Sequence, residues 1–224
     1  MELLHILNRG VEGRNLFLDS QDYVRFVHNL YEFNDSALAS QFSRRGLLMD
    51  IGSTRPNIRD CIVKIHGWVL MRNHYHLLLS ELVEGGLSLF LRKINTGYAN
   101  YFNLRHERKG TLFQGRTKKI LIERQAHFLY ILHYVHLNPL DYLKGFENWR
   151  ERDKGRVRNA RGALEYLETY RWSSYLDYIG VKNFPSLITK DLFEGNPGEY
   201  AADLHNYLRS AVGSDDDSTK LFLE

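Results

Sequence analysis

Val69-Leu-Met-Arg-Asn-His-Tyr-His-Leu-Leu-Leu79 is an apolar run interrupted by two histidines, His74 and His76, two residues apart. Side chains of a β-strand alternate between the faces of its sheet, so this spacing aims both imidazoles the same way. Two neutral imidazoles on one face make half of a metal site; the plain alternative is a pair of ordinary strand histidines, one hydrogen-bonded and one half exposed. Just upstream, Ile62 to Leu70 has the composition of a second strand. Met71-Arg-Asn73 leaves room only for a tight connection between them, so the two segments predict an antiparallel hairpin.

Outward from the hairpin, the chain alternates short strands with helical patterns. Leu3-Leu-His-Ile-Leu7 reads as a core strand closed by the turn residues Asn8-Arg-Gly10. Asp19 or Ser20 then caps a helix whose Tyr23, Phe26, Val27, Leu30 and Tyr31 repeat at helical spacing and which ends near Asn34. Residues 35–60 have no clear period apart from Leu47 to Ile51 and predict an irregular insertion. Downstream, Leu87, Leu91, Ile94, Tyr98, Tyr101 and Phe102 mark a long helix running to about Leu104. Lys118 to Ile122 suits a further strand. Gln125 to Leu137 is a second long helical pattern that Pro139 prevents from continuing. Residues 1–145 are thus expected to hold the main domain. Residues 146–180 read as a basic linker, a short helix over Ala163 to Tyr170 and a Trp172-Ser-Ser-Tyr175 segment packed on the core. Residues 181–224 read as a small helical tail, its last helix over Asp203 to Ala211, with a frayed acidic end at Asp215-Asp-Asp217.

Composition narrows the class. With 224 residues, 43% of them hydrophobic, the chain can bury one sizeable core, and the single cysteine, Cys61, excludes both a disulfide framework and a cysteine-based zinc site. No leader and no apolar run of bilayer length is visible, which predicts a soluble protein at a cytoplasmic address, away from membranes. The formal charge is only +3, so the placement of cations matters more than their sum. Arg105, Arg108, Lys109, Arg116, Lys118 and Lys119 stand against Glu107 alone, with Phe113 and Gln114 interleaved. A solvated loop and a phosphate-contacting surface, with Phe113 stacking on unpaired bases, both account for that run.

The Gln125–Leu137 pattern adds chemistry. Tyr134 and Asn138 lie four apart and so share one helix face, with Tyr130 a turn earlier. A half-buried tyrosine over a helix-terminating asparagine would look the same. Yet His74, His76 and the Asn138 carboxamide oxygen together would form a three-ligand, open-sided site with room for water and a phosphate oxygen. A tyrosine is a poor nucleophile at its usual pKa near 10, and a cation on the phosphoryl oxygens would make Tyr134 useful. His133 and His136 point away from the Tyr134 face by helical position and read as surface or DNA-facing groups. Tyr130, Tyr98 and Tyr101 read as packing residues.

The motifs, taken in order, resemble those of the REP-associated tyrosine transposases, within the His-hydrophobe-His (HUH) single-tyrosine transposase superfamily. These motifs are His74-Tyr-His76, Tyr98-Ala-Asn-Tyr-Phe-Asn103, Gly110-Thr-Leu-Phe-Gln-Gly-Arg116, Tyr134-Val-His-Leu-Asn-Pro139 and Trp172-Ser-Ser-Tyr175. The resemblance spans roughly residues 3–180, with Arg72 standing where relatives often have proline. It implies an α+β fold, a ferredoxin-like antiparallel sheet with two main helices on one face plus a C-terminal helical extension, the hairpin histidines lying beneath the tyrosine helix. It implies that His74, His76 and Asn138 bind a divalent metal, Mg2+ or Mn2+ being favoured although zinc would fit geometrically. It makes Tyr134 the nucleophile that becomes joined to a DNA 5′-phosphate. The implied partner is single-stranded DNA with hairpin structure, gripped by the Arg105–Lys119 run, with a homodimer as one possible assembly. Two alternatives accompany this reading: a non-cutting module for structured DNA or RNA, and a metal phosphohydrolase that activates water.

Overall fold

The computed structural model describes residues 2–36, 59–146, 149–150, 159–193 and 195–209. Most of the expected 35–60 insertion, most of the basic linker and the acidic end lie outside the described residues. The main elements are β1 (Leu4–Arg9), α1 (Ser20–Glu32), β2 (Val63–Met71), β3 (His74–Glu81), α2 (Gly86–Arg105), β4 (Lys118–Leu121), α3 (Gln125–Leu137), α4 (Ala160–Thr169), α5 (Tyr175–Tyr178) and α6 (Pro197–Arg209). The four strands form one antiparallel sheet in the order β2-β3-β1-β4. Adding a helix after β1 and another after β3 gives the α+β, ferredoxin-like arrangement that the motif resemblance implies.

The hairpin sets the parity of everything around it. β2 and β3 are joined by Arg72-Asn73 alone, and Met71 pairs with His74, Val69 with His76. Residues directly opposite in an antiparallel pair share a face. Tyr75, Leu77 and Leu79 therefore enter a core with Phe26, Leu30, Phe90, Ile94 and Tyr98 from α1 and α2, while Leu78 enters a second core with Ile131, Val135 and Leu137 of α3. His74 and His76 share the Leu78 parity and so lie on the α3 side.

Local chemistry explains the helix boundaries. Asp19 is extended and its carboxylate accepts from the Gln21 and Asp22 amides, which starts α1. Asn138 ends α3 by donating from Nδ2 to the Tyr134 carbonyl (2.8 Å), and Pro139 then sits in a 3-10 turn over Asn138–Tyr142. β1 runs on through Arg9, two residues past the expected end, because Asn8 and Arg9 continue the pairing with Tyr75 and His74. α6 begins at Pro197, six residues ahead of the Asp203 expected from hydrophobic spacing, since proline is well suited to the first turn.

Tight packing fixes α3 on the sheet. A Cβ on Gly67 of β2 would lie 2.9 Å from Leu132 Cδ1 and 3.3 Å from Leu78 Cδ1. Gly67→Ala is expected to cost about 1–3 kcal/mol through overpacking, read as a lower urea midpoint; an unchanged midpoint would mean α3 has slack here.

Two buried histidines, one in β2 and one in α3, belong to the packing. His66 contacts Ser80 Oγ (2.9 Å) and the Thr189 carbonyl (3.1 Å), and His136 contacts Ser174 Oγ (2.7 Å) and the Tyr200 hydroxyl (2.5 Å). Burial holds both imidazoles below the ordinary 6.5, with His133 adding to the effect at His136. Unfolded histidines take up protons below about pH 6.5 and these two do not, so the unfolded chain gains stability there. The contribution is present above that pH and is lost as pH falls. Urea midpoints at about pH 7.5 should exceed those at about pH 5.5; equal midpoints would count against neutral burial.

Candidate active site

Sheet parity and α3 bring four aromatic rings together. The His74 and His76 ring centroids are 5.0 Å apart and nearly perpendicular. His5, on the neighbouring strand β1, lies nearly coplanar with His76, centroids 5.1 Å apart, and its Nε2 lies 2.9 Å from His76 Nδ1. The Tyr134 ring stands edge-on to both, 5.8 Å from His5 and 5.8 Å from His76. The histidines thus lie beneath the tyrosine helix, as the resemblance implies, but in a group of three.

The other side of Tyr134 is closed by Trp149, at 5.9 Å, and by Arg150, whose guanidinium carbon lies 5.8 Å from the tyrosine ring centroid. Asp141 organises this wall: it accepts from Trp149 Nε1 (2.7 Å) and forms an ion pair with Arg150. Burial works against the Arg150 charge, but the Asp141 carboxylate and the Tyr134 phenol outweigh it and push the guanidinium pKa up. A permanent cation therefore stands beside the candidate nucleophile.

Asn138 is buried at the end of α3, and Arg150 NH2 donates to its Oδ1 (2.7 Å). With Nδ2 already on the Tyr134 carbonyl, both ends of the carboxamide are engaged. The oxygen keeps a second lone pair, so ligation by Asn138 means sharing with the guanidinium or leaving it. Among the described residues no group of three or more His, Cys, Asp or Glu has the arrangement of a metal site. A donor set of two adjacent imidazoles and one amide oxygen nonetheless fits Mn2+ in kind, and less well Mg2+, which prefers oxygen; the Nε2 atoms of both histidines are buried in the cluster.

The basic run does not form one surface. Arg105 is bound by Asp19 (2.7 Å) and by fully buried Asp22 (2.6 Å). Arg108 donates to Asn103 Oδ1 (2.8 Å) and the Thr111 carbonyl (2.6 Å). Lys119 reaches Ser88 Oγ (3.1 Å) on the α2 side of the sheet, Lys109 is exposed in the loop after α2, and half-buried Phe113 packs edge-on to Tyr75 at 6.1 Å. Arg116 and Lys118 do come together: with Leu7, Asn8, Arg9 and Gln114 they line an open cavity of about 280 Å³. Lys118 pairs with Leu7, which pairs with His76, and Arg9 pairs with His74. This basic ledge therefore borders the imidazole face.

One expectation needs correction. His136 is fully buried between Ser174 and Tyr200, not at a surface, whereas His133 is half-buried and packs against the Tyr200 and Tyr207 rings at 5.5 and 5.1 Å. The reason is α6, which covers the helix face opposite Tyr134. Tyr98 and Tyr101 are packing residues as expected, bonded to the Leu16 carbonyl and to Asp22.

No family model matches the chain and no curated protein matches it. Among solved structures, a REP-associated tyrosine transposase bound to a REP hairpin is similar over 87% of this chain and 88% of that one, at 12% identity and a TM-score of 0.49. Among the described residues no helix is long and apolar enough to cross a membrane.

Proposed function

We propose that this protein is a metal-dependent, single-stranded DNA endonuclease and strand transferase acting on hairpin-containing DNA. The observation that carries the reading is the Tyr134 ring lying 5.8 Å from the His76 ring on the face shared with His74, bordered by the Arg9, Arg116 and Lys118 ledge. The ordered motifs of the chain support the same reading. In the reaction, the Tyr134 oxygen attacks the scissile phosphorus and the bond to the 3′ oxygen breaks. The phenolic proton ends on that departing oxygen, leaving a 5′-phosphotyrosine and a free 3′-hydroxyl. Attack by a later 3′-hydroxyl reverses the step without ATP. His74, His76 and Asn138 would hold a divalent ion, Mg2+ or Mn2+, which would supply positive charge to the phosphoryl oxygens. Arg150 favours the phenolate by its charge, and the ledge holds the flanking backbone.

The test is incubation with a labelled hairpin-bearing single strand and Mn2+, followed by denaturing electrophoresis. A denaturant-stable protein–DNA adduct, absent in His76→Ala, is expected. Free phosphate ends with multiple turnover and no adduct would indicate a phosphohydrolase. The non-cutting module is favoured by two observations: Tyr134 is only 3% exposed, and the Asn138 oxygen rests on Arg150. Binding without nicking under any divalent ion would select it. Within either DNA-binding reading, Arg116→Ala is expected to weaken binding and lower the salt slope by about 0.7, whereas Arg105→Ala leaves the slope unchanged.

A further inference from the structure

We infer that Asn73 and His5 are positioning residues that set the tautomers of His74 and His76, so that both imidazoles present Nε2 to a divalent cation. The inference deepens the proposed function and rests on its assignment of the two histidines as ligands. A neutral imidazole carries one proton, and a metal takes the nitrogen without it; a hydrogen bond at the other nitrogen decides which that is.

For His74 the choice follows from its neighbour. His74 Nδ1 lies 2.7 Å from Asn73 Oδ1, while Asn73 Nδ2 faces the Gly13 carbonyl at 3.5 Å, which orients the amide. A carboxamide oxygen only accepts. His74 therefore donates from Nδ1, and its lone pair is on Nε2. The tight turn makes this possible: Asn73 is the last residue of the two-residue connection, and its own carbonyl accepts from the Gly10 amide (2.7 Å), pinning the turn to the end of β1.

For His76 the partner is another imidazole. His5 Nε2 and His76 Nδ1 are 2.9 Å apart, so one proton lies between them. If His76 donates, its Nε2 carries the lone pair; if His5 donates, His76 bears a proton on Nε2 and is closed to metal. The two-histidine site requires the first arrangement, with His5 accepting at Nε2 and carrying its own proton on Nδ1. The ring planes are within 13° of each other, which lets the two in-plane nitrogens meet edge to edge for that bond. The sheet enforces it, because His5 pairs with Leu78 and so has the parity of His76.

The full chain labelled with 15N-histidine, free of metal and above the imidazole titration range, reads the tautomers directly through long-range 1H–15N correlations. Both His74 and His76 are expected as Nδ1–H; an Nε2–H form at either overturns the inference whatever the protein does with DNA. Calorimetric titration with Mn2+ gives the second readout. His5→Phe and Asn73→Ala should bind about 10–100-fold more weakly, and His5→Gln and Asn73→Asp, which keep an accepting oxygen, should stay close to the unmodified protein. Equal affinity in all four variants also overturns it. Nδ1–H tautomers in a protein that binds no Mn2+ would remove the metal site of the proposed function and, with it, the purpose assigned to His5 and Asn73. Mn2+ binding that is lost in His74→Ala, alongside an Nε2–H form, would remove this inference alone.

Discussion

Tyr134→Phe is expected to abolish the covalent protein–DNA adduct, with cleavage of a hairpin-bearing strand falling by at least about 10³-fold. Every other part of the site survives this change. The phenylalanine ring would keep the edge-on contacts that Tyr134 makes with His5 and His76, and Trp149 would stay in place. Removing one hydroxyl from a buried ring costs on the order of 1 kcal/mol, so the variant should fold and bind DNA. Mn2+ affinity should be unchanged, because the tyrosine is not a ligand. An adduct formed at the normal rate by Tyr134→Phe would hand the nucleophile to another residue.

Asp22→Ala should have the largest effect on stability outside the hydrophobic core, about 3 kcal/mol. The Asp22 carboxylate is fully buried, yet it accepts from Arg105 (2.6 Å), His106 (3.1 Å), the Tyr101 hydroxyl (3.1 Å) and the Leu18 amide (2.9 Å). It joins the start of α1 to the end of α2. Removing it deprives four donors of their shared acceptor, while Arg105 keeps Asp19 and the Tyr101 hydroxyl. Denaturant unfolding would read the loss. An unchanged midpoint would mean that Arg105 is not needed here and is available to DNA, contrary to the geometry.

The hairpin shows why much of the fold was legible from residues alone. An apolar run with period two, broken by too few residues for any wide loop, admits one pairing, and that pairing fixes the face of both histidines. α1, α2 and α3 were equally plain, because each carries an apolar stripe at helical spacing and a chemical stop or start at one end. Tyr134 and Asn138 could be placed one above the other for the same reason. His5 was harder. A lone histidine in Leu4–Leu7 has no partner in its own segment, and its role depends on β1 lying between β3 and β4. Parity could have found it: once β1 is set beside β3 with Leu7 opposite His76, His5 shares the face of His76. Arg150 left no such signal. It is twelve positions beyond Asn138 in an irregular stretch, and only the Asp141 carboxylate and the turn after α3 bring it to the tyrosine.

The basic run was legible only as a run. Charge density along a chain says nothing about which side chains are already paired, and here Asp19 and Asp22, distant in sequence, claim Arg105. The cations that line the ledge on the imidazole side of the sheet are Arg116, Lys118 and Arg9, and Arg9 lies outside the run altogether. The surface reading fails for His136 because helical position gives a direction but not what covers it; α6 lies over that direction.

The most direct measurement is peptide mapping by mass spectrometry after reaction of the full chain with a hairpin-bearing single strand and Mn2+. One modified peptide is expected, carrying the 5′-phosphate of the cleaved strand on Tyr134. A modification on Tyr130, Tyr98 or any other residue, or cleaved DNA with every peptide unmodified, would contradict it.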